Sequence, residues 1–237
     1  MQLASQTIDE RLDELVPEGD APLWGARYSL FSGGKRFRPQ LTLAICPDAL
    51  DAACAIEMIH TFSLIHDDLP CMDDDALRRG KPTLHTVIDE GQALLAGSYL
   101  QTRAFEVIAN SAYSDRQKAE LISTLSKATN EMIYGQCLDL GAPLTEDSIE
   151  TLHLAKTASL MQAALICGGI LSGADLDLLS DIGHHLGLAY QYFDDIADGD
   201  TQIFGEQTVD KARHHHQISL ELSKEFPDLH RLISHVF

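Results

Sequence analysis

The chain has 237 residues, of which 45% are hydrophobic and 22% charged, and its formal net charge is −19. This length allows one large domain with a substantial core, and the negative charge argues against nucleic-acid binding as the main task. No apolar run was expected to reach the length of a membrane span, so no transmembrane segment is predicted. The five cysteines, at 46, 54, 71, 137 and 167, follow no CxxC pattern, which favours reduced thiols and a cytoplasmic location.

Helical periodicity runs through nearly the whole chain, and strand-like alternation is hard to find. Asp48 and Thr145 are expected to cap helices, and Gly173 is expected to end one. The sequence therefore predicts an all-α fold, as a single domain over 1–237. The predicted helices are 3–16, 21–31, 38–46, 49–69, 91–110, 114–139, 146–172, 175–200, 208–225 and 227–236.

The most unusual segment is 64–80, which crowds five aspartates and two arginines together (67, 68, 73, 74 and 75; 78 and 79). Like charges at that density repel one another unless a cation or a strong structural reason holds them. Carboxylates suit Mg²⁺, which takes one or two of them together with phosphate oxygens and water. Because arginine forks match phosphate geometry, the pattern indicates a magnesium and phosphate site. A solvated acidic turn is the alternative interpretation.

Spacing alone does not decide which later aspartate joins Asp67. On an ideal helix Asp74 would align with Asp67, whereas Asp73 would point about 120° away. Pro70 forbids a regular helix across this segment, so a distorted turn must bring the later acids around.

A second acidic cluster ends another predicted helix, within 191–198. Asp194 and Asp198 are four residues apart and share a helix face, with Asp195 beside them. Helical bundles build metal sites from inward-facing acids. We therefore expect the two clusters to face one another across a cavity.

Several motifs in order resemble the trans-polyprenyl (isoprenyl) diphosphate synthase family, of the farnesyl and geranylgeranyl type. They span about two-thirds of the chain and are specific in combination, although a lone DDxxD is weak. The resemblance implies an all-α bundle of about ten helices around a deep central cavity. It also implies a transferase that joins isopentenyl diphosphate to an allylic diphosphate. The motifs are GGKRFRP (33–39), DDLPCMD (67–73), LRRGKPT (77–83), GQCLDL (135–140), KT (156–157) and DDIAD (194–198).

The resemblance also implies residue roles, and it favours Asp73 over Asp74. Mg²⁺, as about three ions with diphosphate bound, would be held by Asp67, Asp68, Asp73, Asp194, Asp195 and Asp198. Isopentenyl diphosphate would be bound by Lys35, Arg38, His60 and Arg79. The allylic diphosphate would be bound by Arg78, Lys156, Thr157 and Gln191. The residues expected to contribute most directly to catalysis are Asp67, Asp68, Asp73, Arg78 and Lys156.

Phe62 lies five residues before Asp67, more than one helical turn deeper. In the resembling family an aromatic residue there is similar to a floor that stops elongation at fifteen carbons, so farnesyl diphosphate is the expected product. The surrounding residues resemble the geranylgeranyl-forming branch, so geranylgeranyl or geranyl diphosphate is the alternative. The resemblance further implies a homodimer, with a helix like 91–110 at the seam.

The segment after Asp198 departs from the family pattern, and the chain looks shortened there. Glu206 stands where a lysine is expected, and Lys211 is a loose substitute for a missing cation. A weakly active or non-catalytic partner of an active synthase is therefore an alternative function. A class I terpene cyclase and a non-enzymatic helical scaffold are further alternatives, but DDIAD does not fit the second metal motif of a cyclase.

Other conspicuous residues have ordinary interpretations. His214–His216 are expected to point three ways on a solvated helix, and His184 and His185 to pack or line an interface. Cys71 is interpreted as a spacer, because nothing near it lowers a thiol pKa. His60, a lone histidine on an apolar helix, gains a binding role only from the resemblance.

Overall fold

The structure is a computed structural model that describes residues 2–141, 145–199 and 207–237. The described residues are almost entirely helical, as the sequence predicts. A two-stranded antiparallel ladder, β1 (Leu77–Arg78) and β2 (Lys81–Pro82), follows the first acidic segment. A π-helical turn, Leu154–Ala158, joins α8 to α9, and a 3₁₀ turn, Ser223–Glu225, follows α11. The α-helices are α1 (Gln2–Leu15), α2 (Leu23–Leu30), α3 (Phe37–Ile45), α4 (Leu50–Asp67), α5 (Leu84–Val87), α6 (Glu90–Asn110), α7 (Asp115–Asp139), α8 (Glu146–His153), α9 (Ser159–Ser172), α10 (Leu176–Asp198), α11 (Gln207–Leu222) and α12 (Pro227–Ile233).

The chain divides into two compact units. The first comprises the residues up to Gln40 together with Leu50–Ile122. Its centre is α4, which packs against α1, α2 and α6. Thirteen of the eighteen residues of α4 are buried, on every face of the helix, which is typical of a helix surrounded by others. The first acidic cluster therefore follows directly from the most buried helix of this unit.

The second unit comprises Leu41–Ala49 and the described residues from Ser123 onward. Its central helix is α10, which packs against α9, α11 and the π-helical turn. Leu188, Tyr192 and Ala212 form a buried cluster near the end of α10, and Phe193 and Ile196 pack against it. The second acidic cluster therefore also ends a core helix.

Two of the three helix ends predicted at Asp48, Thr145 and Gly173 are present. Thr145 caps α8, because its hydroxyl accepts from the Ser148 N–H and the Ser148 hydroxyl accepts from the Thr145 N–H. Gly173 ends α9 in the left-handed conformation, with φ of 79°. The prediction for Asp48 was wrong, because α4 begins at Leu50 and Asp48 lies outside the cap position. The sequence also missed α5, the β-ladder and the π-helical turn.

One stretch of the described chain, Ser148–Ser172, is long and apolar enough to cross a membrane, with a mean hydropathy of 1.4 over its best window. Of that window, 61% is buried inside the fold. A core helix of a globular protein meets the same criteria, so this stretch is weak support for a membrane span.

Candidate active site

The first acidic cluster lies where α4 ends. Asp67 and Asp68 are both buried, although aspartate is rarely found in that environment. Beyond them the chain turns back on itself, because the Asp73 N–H donates to the Asp67 carbonyl at 2.9 Å. The Asp74 N–H instead donates to the Leu69 carbonyl at 3.2 Å. The distorted turn expected at Pro70 is present, and its hydrogen bonding favours Asp73 as the acid that returns to Asp67.

A guanidinium accompanies this cluster. Arg78 lies in β1, and its Nε donates to Asp68 Oδ1 at 2.6 Å, while its Nη2 lies 3.5 Å from Asp75 Oδ2. Burial raises the pKa of Asp68, and the charge of Arg78 opposes that rise. The short ladder therefore places a positive charge directly against a buried acid of the cluster.

The basic loop 33–39 lies in the same unit. Arg38 Nη1 is 3.4 Å from His60 Nε2 on α4, and the Arg79 guanidinium donates to the Gly33 carbonyl. Burial, together with the charges of Arg38, Arg79 and Arg78, holds the pKa of His60 well below its ordinary value. His60 is therefore a neutral imidazole among guanidinium groups.

Glycine lets the Arg79 guanidinium approach this loop. Gly33 and Gly34 have φ of 112° and 126°, which disfavour other residues. A Cβ on Gly34 would lie 2.5 Å from Arg79 Nη1. The loop, Arg38, His60 and Arg79 make a cationic surface suited to an anion such as a diphosphate, and Lys35 is exposed beside it.

The second acidic cluster occupies the last turn of α10. Asp194 is exposed and Asp195 is partly buried. Gln191 Nε2 donates to Asp195 Oδ1 at 2.9 Å, and the Thr157 hydroxyl donates to Gln191 Oε1 at 2.8 Å. This chain of hydrogen bonds joins three residues to which the resemblance gave roles. The side chain of Asp198 and the whole of Glu206 lie outside the described residues.

Lys156 lies in the π-helical turn, a feature that often marks functional sites. Its ammonium group is paired with the Asp139 carboxylate at the end of α7. Gly135 allows α7 to approach this turn, since a Cβ on Gly135 would lie 2.6 Å from the backbone nitrogen of Lys156. Asp139 belongs to the GQCLDL motif, but the sequence analysis gave it no role.

His153 is a second residue, after Asp139, for which the sequence predicted no role. It is buried, its Nε2 lies 3.3 Å from Asp195 Oδ2, and burial lowers its pKa to about 4. Its ring meets that of Tyr192 edge-on, at 5.2 Å between centroids. The only sequence signal was its spacing, because His153 precedes Lys156 and Thr157 by three and four residues on the same helical stretch.

Lys211, the suggested substitute cation, has a local acidic partner. Its Nζ lies 3.4 Å from Glu150 Oε2 and 5.7 Å from the centre of the Tyr192 ring. The Tyr192 hydroxyl donates to the same Glu150 oxygen at 3.4 Å. Burial, followed by the nearby Glu150 charge, raises the pKa of Tyr192.

Phe62 is buried in the interior of α4, as expected of a chain-length residue. Its ring meets the His66 imidazole edge-on at 5.2 Å between centroids. His66 Nε2 in turn lies 3.1 Å from the Leu94 carbonyl oxygen on α6. The imidazole that meets the Phe62 ring is therefore itself linked to α6.

His185 packs as expected, but His215 and His216 are half-buried, so the expectation of a solvated helix is wrong for them. His185 and His215 bring their Nδ1 atoms within 2.8 Å of one another, and thereby link α10 to α11. His216 Nε2 lies 3.3 Å from the Ile233 carbonyl oxygen, and His214 is exposed. The three consecutive histidines thus do point three ways.

The donor chemistry of both clusters fits Mg²⁺. Asp67 and the second cluster lie at helix C-termini, where the helix dipole disfavours negative charge and favours a cation. Within the described ranges no three His, Cys, Asp or Glu side chains are close enough to hold a metal by themselves.

Comparison with known proteins gives a consistent result. The profile of the polyprenyl synthetase family matches residues 25–212. The chain is 42% identical to a farnesyl diphosphate synthase of Bacillus subtilis (strain 168), in an alignment 254 positions long that covers 95% of this chain and 86% of the relative.

Solved structures agree. An FPP/GFPP synthase from Zymomonas mobilis, in its apo form, superposes with a TM-score of 0.91 at 33% identity, over 98% of this chain and 94% of the other. A geranyltransferase from Helicobacter pylori, complexed with magnesium and isoprenyl diphosphate, superposes with a TM-score of 0.83 at 31% identity, over 98% and 95%. These likenesses confirm the predicted all-α fold and the prediction of a prenyl transferase. The chain belongs to the polyprenyl synthetase family.

Proposed function

We propose that this chain is a short-chain trans-prenyl transferase that condenses isopentenyl diphosphate with dimethylallyl or geranyl diphosphate, with farnesyl diphosphate as its main product. The observation that carries the proposal is the cationic surface that Arg38 and Arg79 form around the loop and His60, in the same unit as a buried acidic cluster. An anion site beside a metal-binding site is what condensation of two diphosphates requires. The name of the Bacillus subtilis relative supports farnesyl as the product.

Isopentenyl diphosphate is proposed to bind at the basic loop. Lys35, Arg38 and Arg79 would balance the charge of its diphosphate, and arginine forks would fix its orientation. His60, being neutral, would donate a hydrogen bond without adding a charge. This substrate keeps its diphosphate, so its site needs strong binding but no help for a leaving group.

The allylic diphosphate is proposed to bind where its leaving group can be stabilised. Arg78 and Lys156 would contact the diphosphate oxygens, with Thr157 and Gln191 hydrogen bonding nearby. Mg²⁺ would be held by the acids of the first cluster, Asp67, Asp68 and Asp73, and by those of the second, Asp194, Asp195 and Asp198. When bound, Mg²⁺ supplies Lewis-acid stabilisation of negative charge on phosphate oxygens.

The reaction breaks the allylic C–O bond, which leaves an allylic carbocation and a free diphosphate. The isopentenyl double bond attacks the cation, a new C–C bond forms, and loss of a proton to the released diphosphate restores a neutral hydrocarbon chain. Arg78 and Lys156 oppose the charge that develops on the leaving group, and each such donor contributes about 3–4 kcal/mol. Water must be excluded, because it would quench the cation.

Arg78 and Lys156 each have a carboxylate partner, which affects how the site would accept substrate. Arg78 is paired with Asp68, and Lys156 with Asp139. Binding of an allylic diphosphate would therefore exchange carboxylate partners for phosphate oxygens. The existing carboxylate pair keeps each cation near its working position before substrate arrives. Less side-chain entropy is therefore lost on binding.

The product assignment rests on Phe62, whose buried ring would close the cavity below the first cluster. Geranylgeranyl or geranyl diphosphate is the alternative product. A weakly active or non-catalytic partner of another synthase is the alternative function, because Glu206 replaces a lysine of the family pattern. We also propose a homodimer, in which exposed Leu94 and Leu95 of α6 supply apolar surface, and a cytoplasmic location.

One assay tests the proposal. The purified chain is incubated with isopentenyl diphosphate, Mg²⁺ and each allylic diphosphate in turn, and the products are identified by mass. A linear fifteen-carbon diphosphate is expected, and a twenty- or ten-carbon product would support the alternative chain lengths. Cyclic hydrocarbon would contradict the proposal in favour of a cyclase. Absence of product with every substrate would favour the non-catalytic partner.

A further inference from the structure

An ion pair is buried directly behind the basic loop. The side chains of Arg36 and Glu57 are 4% and 3% exposed, and Arg36 Nη1 donates to Glu57 Oε1 at 2.7 Å. Arg36 Nε donates to Asp9 Oδ1 at 2.7 Å, and Nη2 donates to the Leu30 carbonyl at 2.6 Å. All three guanidinium nitrogens thus face protein acceptors. Arg36 is therefore committed to the interior, unlike its neighbours Lys35 and Arg38.

The backbone at Arg36 is equally constrained. Its φ is +50°, in the left-handed region that residues other than glycine seldom adopt. The Gln40 N–H donates to the Arg36 carbonyl at 3.1 Å, and Gln40 Nε2 donates to the Lys35 carbonyl at 2.6 Å. Such a conformation persists only where its surroundings hold it, and the buried ion pair and Gln40 do so.

The loop is attached to α4 at two points on one helix face. Glu57 and His60 are three residues apart, hence neighbours on that face. Glu57 holds Arg36, and His60 lies 3.4 Å from Arg38 Nη1. Two residues of the loop therefore contact one face of α4, with Arg36 turned inward and Arg38 beside His60.

Stability alone is a poor explanation for this pair. A buried ion pair is costly to desolvate, and an apolar pair of similar volume often stabilises a fold as well or better. Burial opposes the charge of Arg36, yet Glu57 and Asp9 together raise its pKa. An ion pair with fixed hydrogen-bond directions also fixes the orientation of the Arg36 side chain.

We propose that Arg36 and Glu57 are positioning residues for isopentenyl diphosphate: they fix the loop so that Lys35 and Arg38 reach the diphosphate together with His60. This inference rests on the proposed function of the loop. Neither residue contacts the substrate. Their contribution is to pre-organise the two cations on either side of Arg36.

The test compares Glu57→Gln with a matched control, Asp51→Asn. Asp51 pairs with Arg11 Nε at 2.8 Å and lies on the same helix, away from the loop. For Glu57→Gln, the KM for isopentenyl diphosphate should rise about tenfold, while the KM for the allylic substrate and kcat stay within about twofold. Asp51→Asn should leave all three constants unchanged. Equal rises in both KM values would overturn the inference, because they would indicate general damage.

A second variant guards against misfolding, since Glu57→Gln leaves a buried cation unpaired. The double replacement Arg36→Met with Glu57→Met keeps an apolar volume in place of the pair. Calorimetry with isopentenyl diphosphate alone should show a Kd about tenfold above that of the unmodified chain. An unchanged Kd in the folded double variant would overturn the inference. The proposed function would fail separately, by absence of prenyl product from the unmodified chain, and calorimetry does not depend on turnover.

Discussion

The two acidic clusters end core helices in the same way, but their surroundings differ. In the first, Asp67 and Asp68 are buried, and Arg78 places a guanidinium 2.6 Å from Asp68. In the second, Asp195 is partly buried and is contacted by the Gln191 amide and His153. Because burial lowers the pKa of His153 to about 4, that imidazole is neutral at physiological pH.

This difference indicates two ways of holding acids at the end of a core helix. The first cluster carries a built-in counter-ion, so Asp68 can remain buried and charged before any ligand binds. In the second, the contacts from Gln191 and His153 orient the carboxylate without supplying positive charge. We therefore expect the first cluster to depend on Arg78 for stability and the second to depend more on its hydrogen-bond geometry.

The largest expected effect comes from neutralising one acid in either cluster. Asp67→Asn and Asp195→Asn should each lower kcat by about 10²–10³-fold, because each removes a carboxylate proposed to hold the Mg²⁺ that stabilises the leaving diphosphate. Steady-state assays with saturating Mg²⁺ and substrates measure this. Asp89→Asn, at the cap of α6, is the control and should leave kcat unchanged. A loss below tenfold in one cluster alone would exclude that cluster from the reaction.

Replacement of Phe62, behind the first cluster, tests the link between that region and product length. Phe62→Ala should shift products towards longer chains, and should also destabilise the fold by about 3–5 kcal/mol, as loss of a buried aromatic ring does. Ile56→Ala is the matched control: Ile56 is buried on α4 but lies about 120° around the helix. Chain-length analysis by mass decides the matter, and unchanged products from Phe62→Ala would remove its role as a floor.

The counter-ion in the first cluster should be visible in stability. Arg78→Gln leaves Asp68 buried without that guanidinium, which should cost about 2 kcal/mol in the metal-free protein, since the pair is only partly buried. Added Mg²⁺ should recover part of the loss. Arg116→Gln, which breaks an exposed pair with Glu120, should cost much less. Denaturant unfolding measures both, and equal small losses would contradict a counter-ion role for Arg78.

The smallest expected effect lies near the second cluster, at the His185–His215 contact. Burial, and then the neighbouring His185 and His214, lower the pKa of His215 to about 4, while Glu150 opposes that shift. Burial and His184 also lower the pKa of His185, against the nearby Asp181.

The sign of the pH effect follows from these directions. Between about pH 6.5 and 4 the unfolded chain binds more protons at His215 than the folded one, so stability falls as the pH falls through this range. After allowance for solvent screening, His215→Gln should reduce that loss by about 1 kcal/mol. His235→Gln, at an exposed histidine, is the control. Identical pH profiles for His215→Gln and the unmodified chain would contradict this account.

The sequence was sufficient for features that depend on local chemistry. Helical periodicity placed nearly every helix, and Thr145 and Gly173 gave correct ends, because capping depends on neighbouring residues. The motif residues were found because their types and spacing are unusual. Glu206 and the Asp198 side chain lie outside the described residues, so the predictions for them stay predictions.

Features that depend on contacts distant in sequence were missed. The π-helical turn at Lys156 adjoins α7 near Gly135, and no local sequence pattern predicts this turn. The roles of His153 and Arg36 depend on partners 42 and 21 residues away, Asp195 and Glu57. Spacing on an ideal helix left the choice between Asp73 and Asp74 open, and the hydrogen bond from the Asp73 N–H to the Asp67 carbonyl could not be predicted from that spacing.

The central proposal is that the acids of both clusters are needed to bind a magnesium-bound allylic diphosphate. Calorimetry with an unreactive allylic thiolodiphosphate and Mg²⁺ tests it directly, using the unmodified chain, Asp67→Asn, Asp195→Asn and the double variant. If both clusters act on the same ligand, each single variant should lose most of the Mg²⁺-dependent affinity, and the double variant should lose little more. An unchanged Mg²⁺-dependent affinity in either single variant would contradict the claim, because that cluster would then have no part in binding the ligand.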